Sequence, residues 1–342
     1  MSQKNNSQKK ISLEQVYQLA YDCMKANDCN HDNADALAET MTAAERDMCH
    51  AHGLFRLPGY AAALKSGKVK GDAAPTIKKI APAVLQLDAH NGYAPLALKA
   101  AKDALAECAS ENGIAAMALI RIHHFAALWM EIEALAEMGL AAFAFTAYKL
   151  AVAPAGGSKP FFGTNPMAFG WPRKNQLPMV FDQASAAMAR GEVMIAARDG
   201  KILPDGVGIT KDGQPTTDPN QVLEGAMLTF GGHKGASIAL MIELLVGPLI
   251  GEAASFEAGK ADNNDGGPPQ GGELIIAIDP GRFGSSEDPY AHAERLFEEL
   301  LSQKGTRLPA QRRYDNRKKT PLEGVSIPES LLDTIKELTG YH

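Results

Sequence analysis

The stretch "IAAMALIRIHHFAALWMEIEALAEMGLAAFAFTAY", Ile114 to Tyr148, decides the fold class. Two compact apolar runs, "IAAMALIRI" and "LAAFAFTAY", flank the helical pattern "AALWMEIEALAEMG", and strand, helix, strand is the simplest assignment. Upstream, "TIKKIAPAVLQLDA" from Thr76 predicts short strands joined by a turn, and "APLALKAAKDALAECASENG" predicts a helix closing at Gly113. Downstream, "PMVFDQASAA" and "GELIIAID" predict further buried strands, separated by "ADNNDGGPPQGG" (261–272), a breaker-dense loop expected to be mobile near the substrate or a dimer interface. Both chain ends are helical. Ser12 and Gln15 make a capping box ahead of a helix over 12–26, a second helix runs from about Asn33 to Cys49, and Pro58 starts another. "AERLFEELLSQ" and "PESLLDTIKELTG" supply the carboxyl-terminal helices. The result is an α/β (α+β) middle between helical ends, without internal repeats.

Bulk composition narrows the function. The 342 residues, 45% hydrophobic and 22% charged, suit a soluble globular protein of two or three lobes, and a formal charge of −6 argues against a nucleic-acid partner. The most apolar run, "ASIALMIELLVGPLIG" from Ala236, is broken by Glu243 and Pro248 and falls short of the roughly 20 residues of a membrane span, so a buried helix is expected. Cys23, Cys29, Cys49 and Cys108 show no metal or disulfide spacing, which fits a reducing cytoplasm. "MSQKNNSQKK" lacks a signal-type apolar segment and is expected to be a short disordered tail.

The common catalytic motifs are absent. No GxGxxG follows a strand, the nearest string being "GVGITKDG", and no phosphate-binding loop, HExxH or GxSxG occurs. Several other strings carry chemistry. "RDMCHAHGLFRLPGY" (46–60) lies at a junction between helices, where one turn puts His52 and Arg56 on a shared face and His50 elsewhere. An imidazole that titrates near neutral pH beside a guanidinium fork suits a small acid that must be protonated. "RIHHFAALW" sets His123 and His124 between a strand and a helix, "FFGTNPMAFGWP" holds Thr164 on a punctuated turn, "FGGHKGASIAL" presents His233 and Lys234 at a helix start, and "RLPAQRR" clusters Arg307, Arg312 and Arg313. Each has a bland alternative as a packing, capping or solvated surface group.

Taken in order over residues 12–315, "HGLFRLPGY", "HHFAALW", "FGTNPMAFG", "FGGHKG" and "RLPAQRR" resemble the non-Rossmann malate/lactate dehydrogenase family, and within it most resemble the Delta-1-piperideine-2-carboxylate/Delta-1-pyrroline-2-carboxylate reductases. The resemblance implies a non-Rossmann NAD(P)-binding fold with a mostly antiparallel central sheet and helical ends packed together. It also implies a cytoplasmic homodimer that reduces a cyclic imino acid with NADPH, with NADH as the weaker alternative. The expected division is 1–72 with 290–342 as a helical domain, 73–185 with 270–289 as the central sheet, and 186–269 as a smaller lobe.

By the same resemblance His52 is the proton donor, Glu192 its charged relay partner, Arg56 the carboxylate clamp and Thr164 a second substrate contact. His124, Phe125, Ala126, Ala127, Leu128, Asp182, Gln183, Ala184, His233, Lys234, Arg307, Arg312 and Arg313 contact the cofactor. The family serine before the catalytic histidine is here Ala51, and the family aspartate is Glu192, so Cys49, His50 or a water is expected to fill the gap beside His52. No membrane or metal partner is implied. Two alternatives stand beside this: a 2-oxo acid reductase using the same acid and clamp, and a non-catalytic metal-binding protein using His50, His52, His123 and His124.

Overall fold

The structure, a computed structural model, describes residues 7–125, 127–284 and 288–340. The chain starts with a short strand, β1 (Gln8–Ile11), and the helices α1 (Leu13–Ala26) and α2 (His31–Arg46). Two single 3₁₀ turns, His50–His52 and Leu54–Arg56, lead into α3 (Leu57–Lys65). The middle holds β2 (Thr76–Ala81), β3 (Val84–Asp88), α4 (Ala94–Asn112), β4 (Ile114–His123), α5 (Trp129–Glu137), β5 (Ala141–Thr146), β6 (Met167–Trp171) and β7 (Met179–Gln183). Next come α6 (Arg190–Asp199), β8 (Gly208–Ile209), β9 (Pro215–Thr216), α7 (Pro219–Glu224), β10 (Ala226–Met227), α8 (His233–Val246) and α9 (Ser255–Ala261). The chain returns as β11 (Gln270–Ile278), α10 (Pro280–Phe283), α11 (Pro289–Ser302), α12 (Gln311–Glu323), β12 (Val325–Pro328) and α13 (Glu329–Thr339).

The main sheet has the order β2-β3-β4-β11-β5-β6-β7, and among the described residues β3–β4 is its one parallel pair of strands, so it is mostly antiparallel, as the family resemblance implied. The opening strand–helix–strand unit is present, but its strands are not neighbours. β11 inserts between them: Ile275 pairs with Met117 of β4 on one side and with Ala144 of β5 on the other. The insertion follows from composition, because a central strand covered on both faces must be apolar on both. Ile275 and Ala277 join the core beneath α4 and α5, while Leu274 packs with Phe145, Ile242 and Val246 on the α8 side. Among the buried residues of β11, Glu273 alone breaks the pattern.

At the amino end Ser12 Oγ accepts from Gln15 N at 3.1 Å and Gln15 Oε1 accepts from Ser12 N at 2.9 Å, the expected capping box. Val16, Ala20, Leu37 and Met41 then bury against Tyr60 of α3 and Leu332 and Ile335 of α13, so the two helical ends share one core. The expected tail is partly a strand, since β1 pairs with β12 from Gln8 onward; residues 1–6 lie outside the described residues. Arg317 of α12 fastens the carboxyl end to the centre, donating to Asp47 at 2.7–3.1 Å and to Glu133 of α5. That bridge sets α12 beside the junction carrying His52.

Three further expectations need correction. α8 is not wholly buried: Ala239, Ile242 and Val246 face the core, but Leu240, Met241, Leu244 and the following Leu249 are 39–62% exposed. "FGTNPMAFG" is a turn only in its first half, because Met167 onward is β6. In "ADNNDGGPPQGG" the last three residues already belong to β11, and the loop before them is tethered: Asp262 and Asp265 accept from Lys68 at 3.1 and 2.6 Å, and Asp262 also from Lys149.

Candidate active site

The junction after α2 is organised by Glu45, which the sequence did not single out. Its side chain is buried; Oε1 accepts from Leu54 N at 2.9 Å and Oε2 meets His50 Nδ1 at 2.5 Å. The chain must pass so close to this carboxylate that a Cβ on Gly53 would stand 2.1 Å from Oε1, so only glycine fits. The two turns thereby send His52 and Arg56 into one cavity of about 240 Å³, while His50 faces a separate groove. The Glu45 carboxylate raises the His50 pKa above its ordinary value. Stability from this pair is therefore present below the unfolded histidine pKa of about 6.5 and fades as pH climbs through the raised one. Because the His50 side chain is 40% exposed, solvent screening keeps the effect small. Denaturant titrations of wild type and His50→Gln are expected to differ by about 0.5–1 kcal/mol more at pH 6 than at pH 9.

Arg56 is the electrostatic centre of the cavity. Its Nε donates to Ala51 O at 2.6 Å, and its guanidinium carbon lies 4.5 Å from the Phe125 ring centroid and 5.5 Å from that of Phe55. No carboxylate pairs with it among the described residues, so the two terminal nitrogens point at nothing of their own charge complement. A second arginine, Arg190, also lines the cavity with Tyr148, and burial lowers the pKa of both guanidiniums. Two inward arginines with aromatic walls make an anion receptor with room for a small ligand.

His52 stands beside this charge. Burial first, and then the Arg56 charge, push its pKa down to about 3, and only a backbone hydrogen bond at Phe125 favours the cation. Its Nδ1 is buried without a hydrogen-bond partner. Expectations about the relay change accordingly. Glu192 lines the cavity but is exposed and does not reach His52 Nδ1; Cys49 contacts Asp47 O, and His50 is taken by Glu45, so neither protein group fills the place of the family serine. Ala51 itself is buried, with its Cβ 2.8 Å from where a Cβ on Gly191 would be. Ala51→Ser is expected to leave kcat unchanged or raise it about twofold to tenfold in steady-state assays, since a hydroxyl adds one hydrogen bond of about 0.5–1.5 kcal/mol.

The other candidates divide. Thr164, Phe125, Asp182, Gln183, Ala184, Arg312 and Arg313 line the cavity with His52 and Arg56. Asp182 is half-buried, and its pKa rises to about 7, chiefly by burial and then by the nearby Glu131; it also accepts from Trp129 N at 3.1 Å, capping α5. His124 turns into the core under α5, Leu128 is fully buried there, and Ala127 lies with them, so these side chains do not line this cavity. His233, Lys234 and Arg307 do not line it either. Ala126 lies outside the described residues. Tyr148 and Arg190 were missed: a tyrosine ending a strand and an arginine opening a short helix have no spacing signature.

The imidazoles His50, His52, His123 and His124 do not gather around one point: His50 is paired to Glu45, His123 Nδ1 lies 3.2 Å from Pro268 O, and His52 and His124 line different cavities. The four-histidine metal site is thus excluded.

Comparison with known proteins places this architecture. A family profile described as malate/L-lactate dehydrogenase matches residues 11–336. The chain is 49% identical to the Delta(1)-pyrroline-2-carboxylate/Delta(1)-piperideine-2-carboxylate reductase of Pseudomonas aeruginosa, over 94% of this chain and 97% of that one. It is 46% identical to the Delta(1)-pyrroline-2-carboxylate reductase of Ancylobacter novellus over 96% and 97%. Among solved structures, the delta1-piperideine-2-carboxylate reductase of Pseudomonas syringae pvar. tomato superposes with a TM-score of 0.90 at 40% identity, covering 96% and 99% of the two chains. With a seven-stranded, mostly antiparallel sheet in place of a Rossmann domain and a family match over nearly its whole length, the chain belongs to the malate/L-lactate dehydrogenase family.

Proposed function

We propose that this protein is an NADPH-dependent reductase of a small cyclic imino acid, converting Delta-1-pyrroline-2-carboxylate to L-proline, Delta-1-piperideine-2-carboxylate to L-pipecolate, or both. The observation that carries the reading is Arg56: a half-buried guanidinium with no carboxylate partner among the described residues, next to an imidazole with a free ring nitrogen. The names of the similar proteins supply the ring substrate.

The chemistry follows from charge. Arg56 grips the carboxylate by two parallel hydrogen bonds and fixes the adjacent C=N carbon at a set distance from the nicotinamide. The cavity residues fit that cofactor: Arg313 Nε and Trp129 Nε1 are buried without partners beside Arg312, which suits phosphate and amide groups. When bound, NADPH supplies hydride to the imine carbon. His52 meets the ring nitrogen. In the empty cavity it is neutral, but a bound carboxylate cancels the Arg56 charge, one of the two leading causes that depress its pKa, and so moves His52 toward the protonated donor form. Substrate binding and acid catalysis are thereby coupled. Phe125 and Tyr148 wall the site against water.

Arg312 and Arg313 support NADPH over NADH, because a 2′-phosphate calls for cations. The exposed Leu240, Met241, Leu244 and Leu249 along α8 support a homodimer through that face. Separate apolar cores under the helical ends and the central sheet, and a third that joins the segment after β7 to Ala151, Val152 and Phe162, support a three-lobe division in which 151–162 packs with the smaller lobe. No described helix is long and apolar enough to cross a membrane, and the four cysteines are unpaired thiols, which suits the cytoplasm.

The deciding assay follows NADPH oxidation with pyrroline-2-carboxylate, piperideine-2-carboxylate, pyruvate and oxaloacetate in parallel, and repeats the best of them with NADH. Turnover of the cyclic imines is expected to dominate. Turnover confined to the oxo acids replaces this reading with a 2-oxo acid reductase.

A further inference from the structure

Glu273 is out of place on β11. It sits in a strand that is otherwise apolar on both faces, it is fully buried, and neither of its oxygens has a hydrogen-bond partner. His124, at the end of β4, faces it with both ring nitrogens buried and unpartnered, and Glu131, on the first turn of α5, adds a buried, unpartnered Oε1. His124 Nε2 is 3.8 Å from Glu273 Oε2 and 4.0 Å from Glu131 Oε1, and one donor atom from each of the three residues lies within 4.8 Å of the others. The two separations from His124 are too long for direct hydrogen bonds, which need about 2.7–3.2 Å, while the Glu131 and Glu273 carboxyls come within hydrogen-bonding reach of each other when one is protonated. Two desolvated carboxyls left in this state carry a heavy penalty.

The spacing matches a group placed between them. Ligand bonds of about 2.0–2.2 Å to a tetrahedral divalent ion set donor atoms about 3.4 Å apart, roughly half an ångström inside the 3.8 and 4.0 Å separations from His124. We propose that His124, Glu131 and Glu273 bind a divalent transition-metal ion, of the zinc, manganese or cobalt class, as a structural site. One imidazole and two carboxylates are a borderline donor set suited to those ions, and two carboxylates balance the charge of one dication. A groove of about 300 Å³ between α2, α4 and α5 has His124 and Glu131 in its lining and offers an entry path.

The ion would clamp three elements, the end of β4, α5 and β11, behind the active site rather than in it. His124 precedes Phe125, whose ring lies on Arg56 and whose backbone touches His52, so the clamp would stiffen the wall that holds both. The proposal does not rest on the proposed activity.

The test is a titration of tag-free, chelator-treated protein with Co²⁺, read by its visible ligand-field spectrum, together with equilibrium dialysis against Zn²⁺ and thermal melts with each ion. One equivalent per chain is expected, with a raised midpoint, and Glu131→Gln or Glu273→Gln should weaken binding by about tenfold or more. His52→Asn should bind as wild type does. The wild-type titration stands alone if a variant fails to fold. No saturable uptake by wild type overturns the proposal, as does uptake that Glu273→Gln and Glu131→Gln leave unchanged. A higher midpoint for Glu273→Gln together with no Co²⁺ response in wild type also overturns it, identifying a trio that shares a proton instead.

Discussion

Arg56→Gln is expected to lower kcat/KM for the cyclic imino acid by between about 30-fold and several thousand-fold, mostly through KM. A desolvated charge-assisted pair that loses one partner costs about 2–5 kcal/mol, and each 1.4 kcal/mol is a factor of ten. The effect should lie toward the upper end because Arg56 has no carboxylate partner among the described residues to dilute the interaction and is already oriented by Ala51 O and the Phe125 ring. The same variant has a second, independent readout. Removing the Arg56 charge takes away one of the causes that depress His52, so the imidazole should titrate above its wild-type value of about 3 in ligand-free protein. Steady-state kinetics and the pH dependence of the His52 ring resonances measure the two effects separately. An unchanged KM would remove Arg56 from its role as clamp whatever the imidazole does.

His52→Asn is expected to reduce kcat by about 10²- to 10⁴-fold, the usual contribution of a positioned general acid, while the dissociation constant for NADPH stays unchanged. The pH dependence distinguishes this role from a merely structural one. With a pKa of about 3 in the free protein, His52 does not titrate in kcat/KM across the neutral range. In the substrate complex its pKa is expected to be higher, so kcat should decline as pH rises through that value and the acid deprotonates. Folding stability moves the other way. A histidine whose folded pKa is depressed supports the native state above the unfolded value of about 6.5 and loses that contribution as pH falls toward about 3. The asparagine variant should therefore be less acid-labile than wild type, as measured by urea unfolding at pH 4 and pH 7. A wild-type kcat in the variant would sink the assignment.

Much of the architecture was legible because its causes are local. The Ser12–Gln15 box, the helix stop at Gly113 with φ of 82°, and the apolar alternation of β3 are set by residues within a few positions of one another. The same holds for His52 and Arg56, which share a cavity because four residues of turn place them there. The direction in which a side chain points was not legible: the adjacent His123 and His124 face different neighbours, and Glu192, named as relay partner by resemblance, does not reach His52.

From its sequence alone the chain determined its helical ends, its strand-rich centre, the placing of His52 beside Arg56, and its family. Only the tertiary structure decided that β11 divides β4 from β5, that Glu45 shapes the turn from beneath Gly53, that Arg190 doubles the cation at the cavity, and that Glu273 meets His124 and Glu131. Periodicity and capping are short-range and leave a mark on neighbouring letters. Contacts between residues far apart in the chain are selected by burial and charge compensation in the folded state, and a single sequence holds no trace of which distant residue answers which.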